Sequence, residues 1–226
     1  MATWRDLQSD DDALPMIREW IAASPLNAQF LPAAAEDGRR CLEALQVTTR
    51  SPMGALAFHT GGLLVDQGWL RILGAGSAAL PRALDLWNGA PGSQRCDRGV
   101  LIADDVVGGF FAWFREPRTV HYLAPDTLEW EDSELGYTDW LSWALTDRLL
   151  QFYRDFRWEG WAQEVAKLSG DSGLMVYPPL FTEETPNAER QHAPVPVEEL
   201  WRLALDYGRQ FREVPEGSKL RIEVVP

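Results

Sequence analysis

Two adjacent carboxylates, Asp104 and Asp105, stand between the apolar runs of Gly99 to Phe114, GVLIADDVVGGFFAWF, and are the first place to look for chemistry. Paired carboxylates can share acid and base roles or hold a hard cation. Neighbours on a regular strand point to opposite faces, so these two can cooperate only where the backbone turns. Gly108-Gly109 supplies such a turn. The competing reading is that both carboxylates bond nearby backbone N–H groups and simply punctuate it. His59, His121 and His192 lie far apart, each without a motif partner, and His59 and His121 sit in strand-like runs as structural residues. No catalytic residue and no metal ligand is assigned.

Gly74-Ala75-Gly76-Ser77-Ala78-Ala79 follows a strand-like run and opens a helix-like one, the context of a dinucleotide-binding loop. The next strand carries its acid at Asp104, too late for the ribose-binding position about 20 residues on. A flexible strand-to-helix turn is therefore expected, with no cofactor. Cys41 and Cys96, the only cysteines, lack metal or redox spacing and read as small core residues.

The elements that must position these groups follow from periodicity. After Asp10, Asp11 and Asp12, Leu14, Ile17 and Ile21 predict a short helix ending before Pro25, and Arg39 to Leu45 a second. Leu56–Phe58, Leu63–Val65 and Trp69–Leu73, separated by Gly61-Gly62 and Asp66-Gln67-Gly68, predict hairpins. Leu80, Leu84 and Trp87 share a helical face, with Pro81 in the first turn and Asn88-Gly89 as the stop. Strands are expected near Val100–Ala103, Phe110–Phe114, Thr119–Leu123 and Leu128–Trp130, with the first two central because both their faces are apolar. Leu141, Leu145, Leu149, Phe152 and Phe156 predict one long helix from Thr138 or Asp139. Thr182 to Ala193 reads as a mobile loop, and a last amphipathic helix presents Leu200, Leu203, Tyr207 and Phe211 on one face. The connections are too short for crossover helices, so the expected class is α+β, a mainly antiparallel sheet flanked by helices.

The chain has 226 residues, 46% of them hydrophobic and eleven of them tryptophan, which excludes an intrinsically disordered protein and suits a single domain. A net charge of −13 repels phosphate, arguing against a nucleic-acid or anionic-membrane binder and leaving a basic protein partner open. Met1 to Asp12 has no signal-peptide pattern and no apolar run reaches membrane-spanning length, so a cytoplasmic protein is expected. Trp130, followed by Glu131, Asp132 and Glu134, has the make-up of a surface for a basic partner: an aromatic anchor within complementary charge. With Asp104 and Asp105 these form the candidate partner-binding set, although ordinary strand packing also accounts for Trp130.

Leu80-Pro81 with its helix and Asn88-Gly89, then Ile102-Ala103-Asp104-Asp105 with Gly108-Gly109-Phe110-Phe111, then Thr138-Asp139-Trp140-Leu141-Ser142-Trp143-Ala144-Leu145, form a succession that resembles the SUKH superfamily. More narrowly the chain looks like an uncharacterised bacterial family of unknown function. The resemblance spans about Leu80 to Leu150, a SUKH-like core flanked by an N-terminal helix-and-hairpin extension and a C-terminal helical extension. It implies an α+β fold with no known catalytic activity, and for many bacterial members an immunity role, neutralising a toxin. The expectation is thus a non-enzymatic binding domain for a basic protein or toxin. The alternatives are a small-ligand binder or hydrolase-like enzyme using Asp104, Asp105 and His121 in a cleft, and an oligomer that associates through exposed aromatics.

Overall fold

The computed structural model describes residues 1–89, 94–182, 185–186 and 189–212. Its centre is a seven-stranded sheet in which every strand pairs antiparallel with the next in sequence: β1 (Ala28–Leu31), β2 (Gly62–Val65), β3 (Leu70–Leu73), β4 (Gly99–Asp105), β5 (Phe110–Phe114), β6 (Val120–Leu123) and β7 (Trp130–Asp132). The α+β class with a mainly antiparallel sheet is therefore established. As their two-sided apolar composition requires, β4 and β5 lie in its middle. A bulge between Leu101 and Ala103 shifts the β4–β5 register.

Helices α1 (Trp4–Leu7), α2 (Leu14–Ala23), α3 (Ala35–Leu45), α4 (Pro52–His59) and α5 (Leu84–Asn88) belong to the N-terminal half. In the C-terminal half, α6 (Tyr137–Ala144), α7 (Arg148–Phe152) and α8 (Trp161–Val165) precede a second sheet of β8 (Ser172–Tyr177) and β9 (Gln191–Pro196), and α9 (Val197–Arg212) closes the described chain. On one sheet face Phe111 and Tyr122 meet Trp140 of α6 and Phe152 of α7. On the other, Phe110 meets Trp201 of α9 at 5.0 Å. One continuous core runs from Ala13 to Ala204.

Several elements differ from expectation. Leu56–Phe58 is helical, inside α4, because the Ser51 hydroxyl accepts the Gly54 N–H and Pro52 occupies the first turn; that cap lies outside the apolar run that suggested a strand. Gly61-Gly62 is accordingly a helix-to-strand junction, whereas Asp66-Gln67-Gly68 does close the β2–β3 hairpin, with three successive positive φ angles. Pro81 precedes α5 rather than joining its first turn. The expected strand at Leu128–Trp130 moves to Trp130–Asp132, because Leu128 adopts φ 59°. The long helix is broken into α6, α7 and a 3₁₀ turn at Arg154–Phe156, where the Thr146 hydroxyl bonds the Trp143 carbonyl and ends the first segment. Within Thr182 to Ala193, residues 183–184 and 187–188 lie outside those described, and Gln191–Ala193 belongs to β9 rather than a loop. Strand β1 and the β8–β9 hairpin were not anticipated.

Candidate functional site

The end of β4 places its two aspartates on opposite faces of the sheet, and both are only 1% exposed. Asp104 faces the C-terminal side, where it pairs with Arg71 of β3 and Arg82. Each arginine reaches onward to the backbone before and at the start of β8: Arg82 Nη2 donates to Gly170 O at 2.9 Å, and Arg71 donates to Ser172 O. Arg71 also donates to the Asp105 carbonyl at 3.2 Å. This charged cluster fastens the β8–β9 hairpin to the main sheet.

Asp105 turns toward the other face and organises the β4–β5 turn. Its Oδ1 accepts the Val107 and Gly109 N–H groups at 3.0 and 2.9 Å, and its Oδ2 accepts the Tyr122 and Tyr153 hydroxyls at 2.7 and 3.1 Å. Burial raises its carboxyl above the usual range against the pull of those donors. A side chain at Gly109 would strike the Tyr122 hydroxyl and Asp105 Oδ2, so glycine is required by close approach. The turn-punctuating role read for both carboxylates therefore holds for Asp105, while Asp104 is an ion-pair hub.

As members of a partner-binding surface, Asp104 and Asp105 must be withdrawn, since neither reaches the exterior. His121 does not join Asp105 either. Its strand neighbour Tyr122 bonds Asp105, so His121 leaves the sheet on the opposite face, stacked on Phe114 at 4.0 Å and 3.6 Å from Asp132. Burial lowers its pKa, with Asp132 opposing. The cleft of Asp104, Asp105 and His121 is not formed. The other histidines are likewise paired locally, His59 with Asp12 at 2.8 Å and His192 with Glu164 at 3.4 Å. No group of three His, Cys, Asp or Glu side chains suited to a metal occurs among the described residues. The Gly74–Ala79 loop folds back through mutual bonds of Ser77 and Leu80, and the nearby Arg40 pairs with Asp37 and Asp85.

The remaining predicted residues lie on the edge strand β7 or just beyond it. Trp130 is half-buried, with its ring 5.1 Å from Phe114, so it packs on a neighbouring strand with part of its surface exposed. Glu131, Asp132 and Glu134 are exposed. Glu131 accepts the Thr127 hydroxyl at 3.0 Å, and Asp132 accepts the Glu134 N–H at 2.8 Å. A three-residue edge strand carrying carboxylates resists edge-to-edge pairing and attracts cations.

The apolar counterpart of this rim lies beside it, in a groove of about 310 Å³ between β8, α9 and the β4–β5 and β6–β7 turns. Val107, Leu128, Val176, Leu200, Leu203 and Tyr207 line it. Asp126 and Glu129, both exposed, flank Leu128, and exposed Glu199 precedes Leu200. The amphipathic face of α9 was legible as Leu200, Leu203 and Tyr207, but the turns that form the opposite wall come from distant parts of the sequence.

Comparison with known proteins places this chain among bacterial relatives. Residues 5–200 match the family described as "Protein of unknown function DUF2625". A "Putative uncharacterized protein YbfG" of Escherichia coli K12 is 37% identical over 212 residues, covering 92% of this chain and 97% of that protein. An "Uncharacterized protein" of Haemophilus influenzae is 32% identical over 209 residues, covering 88% and 91%. No solved structure matches the chain.

Proposed function

Since the chain belongs to the DUF2625 family, we propose for it the role of a non-enzymatic protein-binding domain whose partner is a basic protein, with neutralisation of a basic toxin as the setting that the SUKH resemblance implies. The observation that carries this reading is the apolar groove of about 310 Å³, whose lining residues Pro125, Leu128 and Leu200 have the exposed carboxylates Asp126, Glu129 and Glu199 as chain neighbours. A desolvated apolar centre supplies affinity, and the surrounding charge speeds encounter and selects the partner. The buried ionisable groups at the β4–β5 turn are engaged in holding the fold together. Strand β8 and helix α9 supply two walls of the groove, and the sheet turns with the Pro179–Phe181 segment supply the rest.

The test is a binding measurement with the full chain immobilised and with cationic proteins, cross-linked to it in its native cell, as analytes. Leu203→Glu should weaken binding by about tenfold or more by placing a charge in the apolar centre. Asp126→Lys with Glu129→Lys should slow association and flatten its salt dependence. Binding that is indifferent to both sets of changes would remove the groove and its rim from the interface.

A further inference from the structure

The groove follows a strand edge, and the ladder shows which backbone groups that edge presents. In the β8–β9 pair, Ser172 lies opposite Pro196 and Leu174 opposite Pro194. Proline has no N–H to exchange, so these are the non-hydrogen-bonded pairs, and Gly173, Met175 and Tyr177 make the ladder bonds to β9. Ser172, Leu174 and Val176 must then turn their N–H and C=O groups to the outer edge. Two contacts bear this out: the Leu174 N–H donates to the Val106 carbonyl at 2.6 Å, and the Ser172 carbonyl accepts from Arg71.

Past Leu174 the edge parts from the main sheet and the groove opens. Four consecutive β8 residues, Leu174 to Tyr177, line it, which requires a groove running along the strand rather than across one face. Among the described residues the N–H and C=O of Val176 have no hydrogen-bond partner. In sequence, exposed Asp126, Glu129 and Glu199 adjoin the lining residues Pro125, Leu128 and Leu200, on a chain of net −13.

We propose that the outer edge of β8 binds an extended basic segment of another protein as an added strand, pairing at Val176 and placing alternate apolar side chains in the groove. This rests on the binding reading above and specifies its mode. Main-chain pairing supplies affinity, and alternation matches the side-chain period of a strand, with Lys or Arg between the apolar residues meeting the carboxylates.

The probe is a display library of short peptides, panned in parallel on the full chain and on Leu203→Glu, with enriched peptides then synthesised. The expected peptides have apolar residues at every second position with Lys or Arg between. Their binding should slow amide exchange at Val176 and weaken about tenfold on Val176→Pro, which removes one outward N–H. The β9 ladder does not use that N–H, and an unchanged far-UV spectrum and urea midpoint verify that the variant folds. Peptides that need Leu203 but bind Val176→Pro unchanged would overturn strand addition while keeping the groove. No enrichment on the native chain over Leu203→Glu would overturn both. Enriched peptides without basic residues would overturn the stated partner chemistry. Binding seen only after deletion of residues 213–226 would assign the edge to this chain's own end, and dimerisation abolished by Val176→Pro would assign it to a second copy; either result overturns the proposal.

Discussion

Replacing Asp104 by alanine isolates the charged cluster that joins the two sheets. Asp104 is 1% exposed, and the Arg71 and Arg82 side chains are 3% and 7% exposed, so the variant leaves Arg71 buried without a paired carboxylate and Arg82 with only an outlying one. Arg82 keeps Gly170 O and the outlying Asp171 carboxylate 3.8 Å away, and Arg71 keeps the Ser172 and Asp105 carbonyls. Neutral carbonyls replace little of the lost charge interaction, and removing one member of a buried ion pair costs about 3–5 kcal/mol. That is a large share of the roughly 5–15 kcal/mol that stabilises a typical domain. With a urea m-value of about 2.5 kcal/mol/M, the unfolding midpoint should fall by about 1.5 M. Local opening should accompany it, seen as faster amide exchange at Leu174, whose bond to Val106 lies beside the cluster. Asp171→Ala is the control: its carboxylate is half-exposed, so it should cost no more than about 0.5 kcal/mol. Simultaneous replacement of Arg71, Asp104 and Arg82 by methionine should recover much of the loss by removing the unpaired charges together with the hub. A loss below about 1 kcal/mol for Asp104→Ala would refute the argument that this carboxylate is scaffolding.

Three further outcomes are expected. Because burial raises the folded-state pKa of Asp105 above its ordinary 3.8, the folded protein holds this proton more tightly than the unfolded chain, and the associated stability is lost as pH rises through the folded value. Asp105→Asn should therefore gain on the native chain as pH rises from the ordinary 3.8 through the folded-state value, in denaturant titrations run from acid to neutral pH, and a difference that stays flat over that whole range would contradict the shift. Gly109→Ala should cost about 1–3 kcal/mol by chemical unfolding, since its methyl must displace the Tyr122 hydroxyl or Asp105 Oδ2, and the cost should shrink in Tyr122→Phe. Cys41 and Cys96 are buried with pKa values raised chiefly by burial, so alkylation followed by mass spectrometry should proceed much more slowly for the native protein than in denaturant.

Local signals made much of the scaffold readable. The two-sided apolar runs at Val100–Ala103 and Phe110–Phe114 required central strands, Asp66-Gln67-Gly68 required a tight turn, and the spacing of Leu200, Leu203, Tyr207 and Phe211 required an amphipathic helix. Where a short cap or a single left-handed residue overruled a longer pattern, expectation failed: Ser51-Pro52 made Leu56–Phe58 helical, and Leu128 delayed β7. The candidate site was less legible. Composition marked Glu131, Asp132 and Glu134 as an acidic surface, but their place on an edge strand, the packing of Trp130 on Phe114 and the enclosure of Asp104 and Asp105 came from the fold.

Composition and periodicity thus determined the class of fold, the central strands, an acidic surface and the apolar stripe of α9, because each depends on residues close together in the chain. Tertiary packing determined which charges stay in water and which are buried. It brought Arg71, Arg82 and Asp104 together across three segments, and it assembled a groove from two sheet turns, β8 and α9. Residues as far apart in sequence as Val107 and Tyr207 come to line one groove through chain closure rather than spacing, so no local pattern announces it.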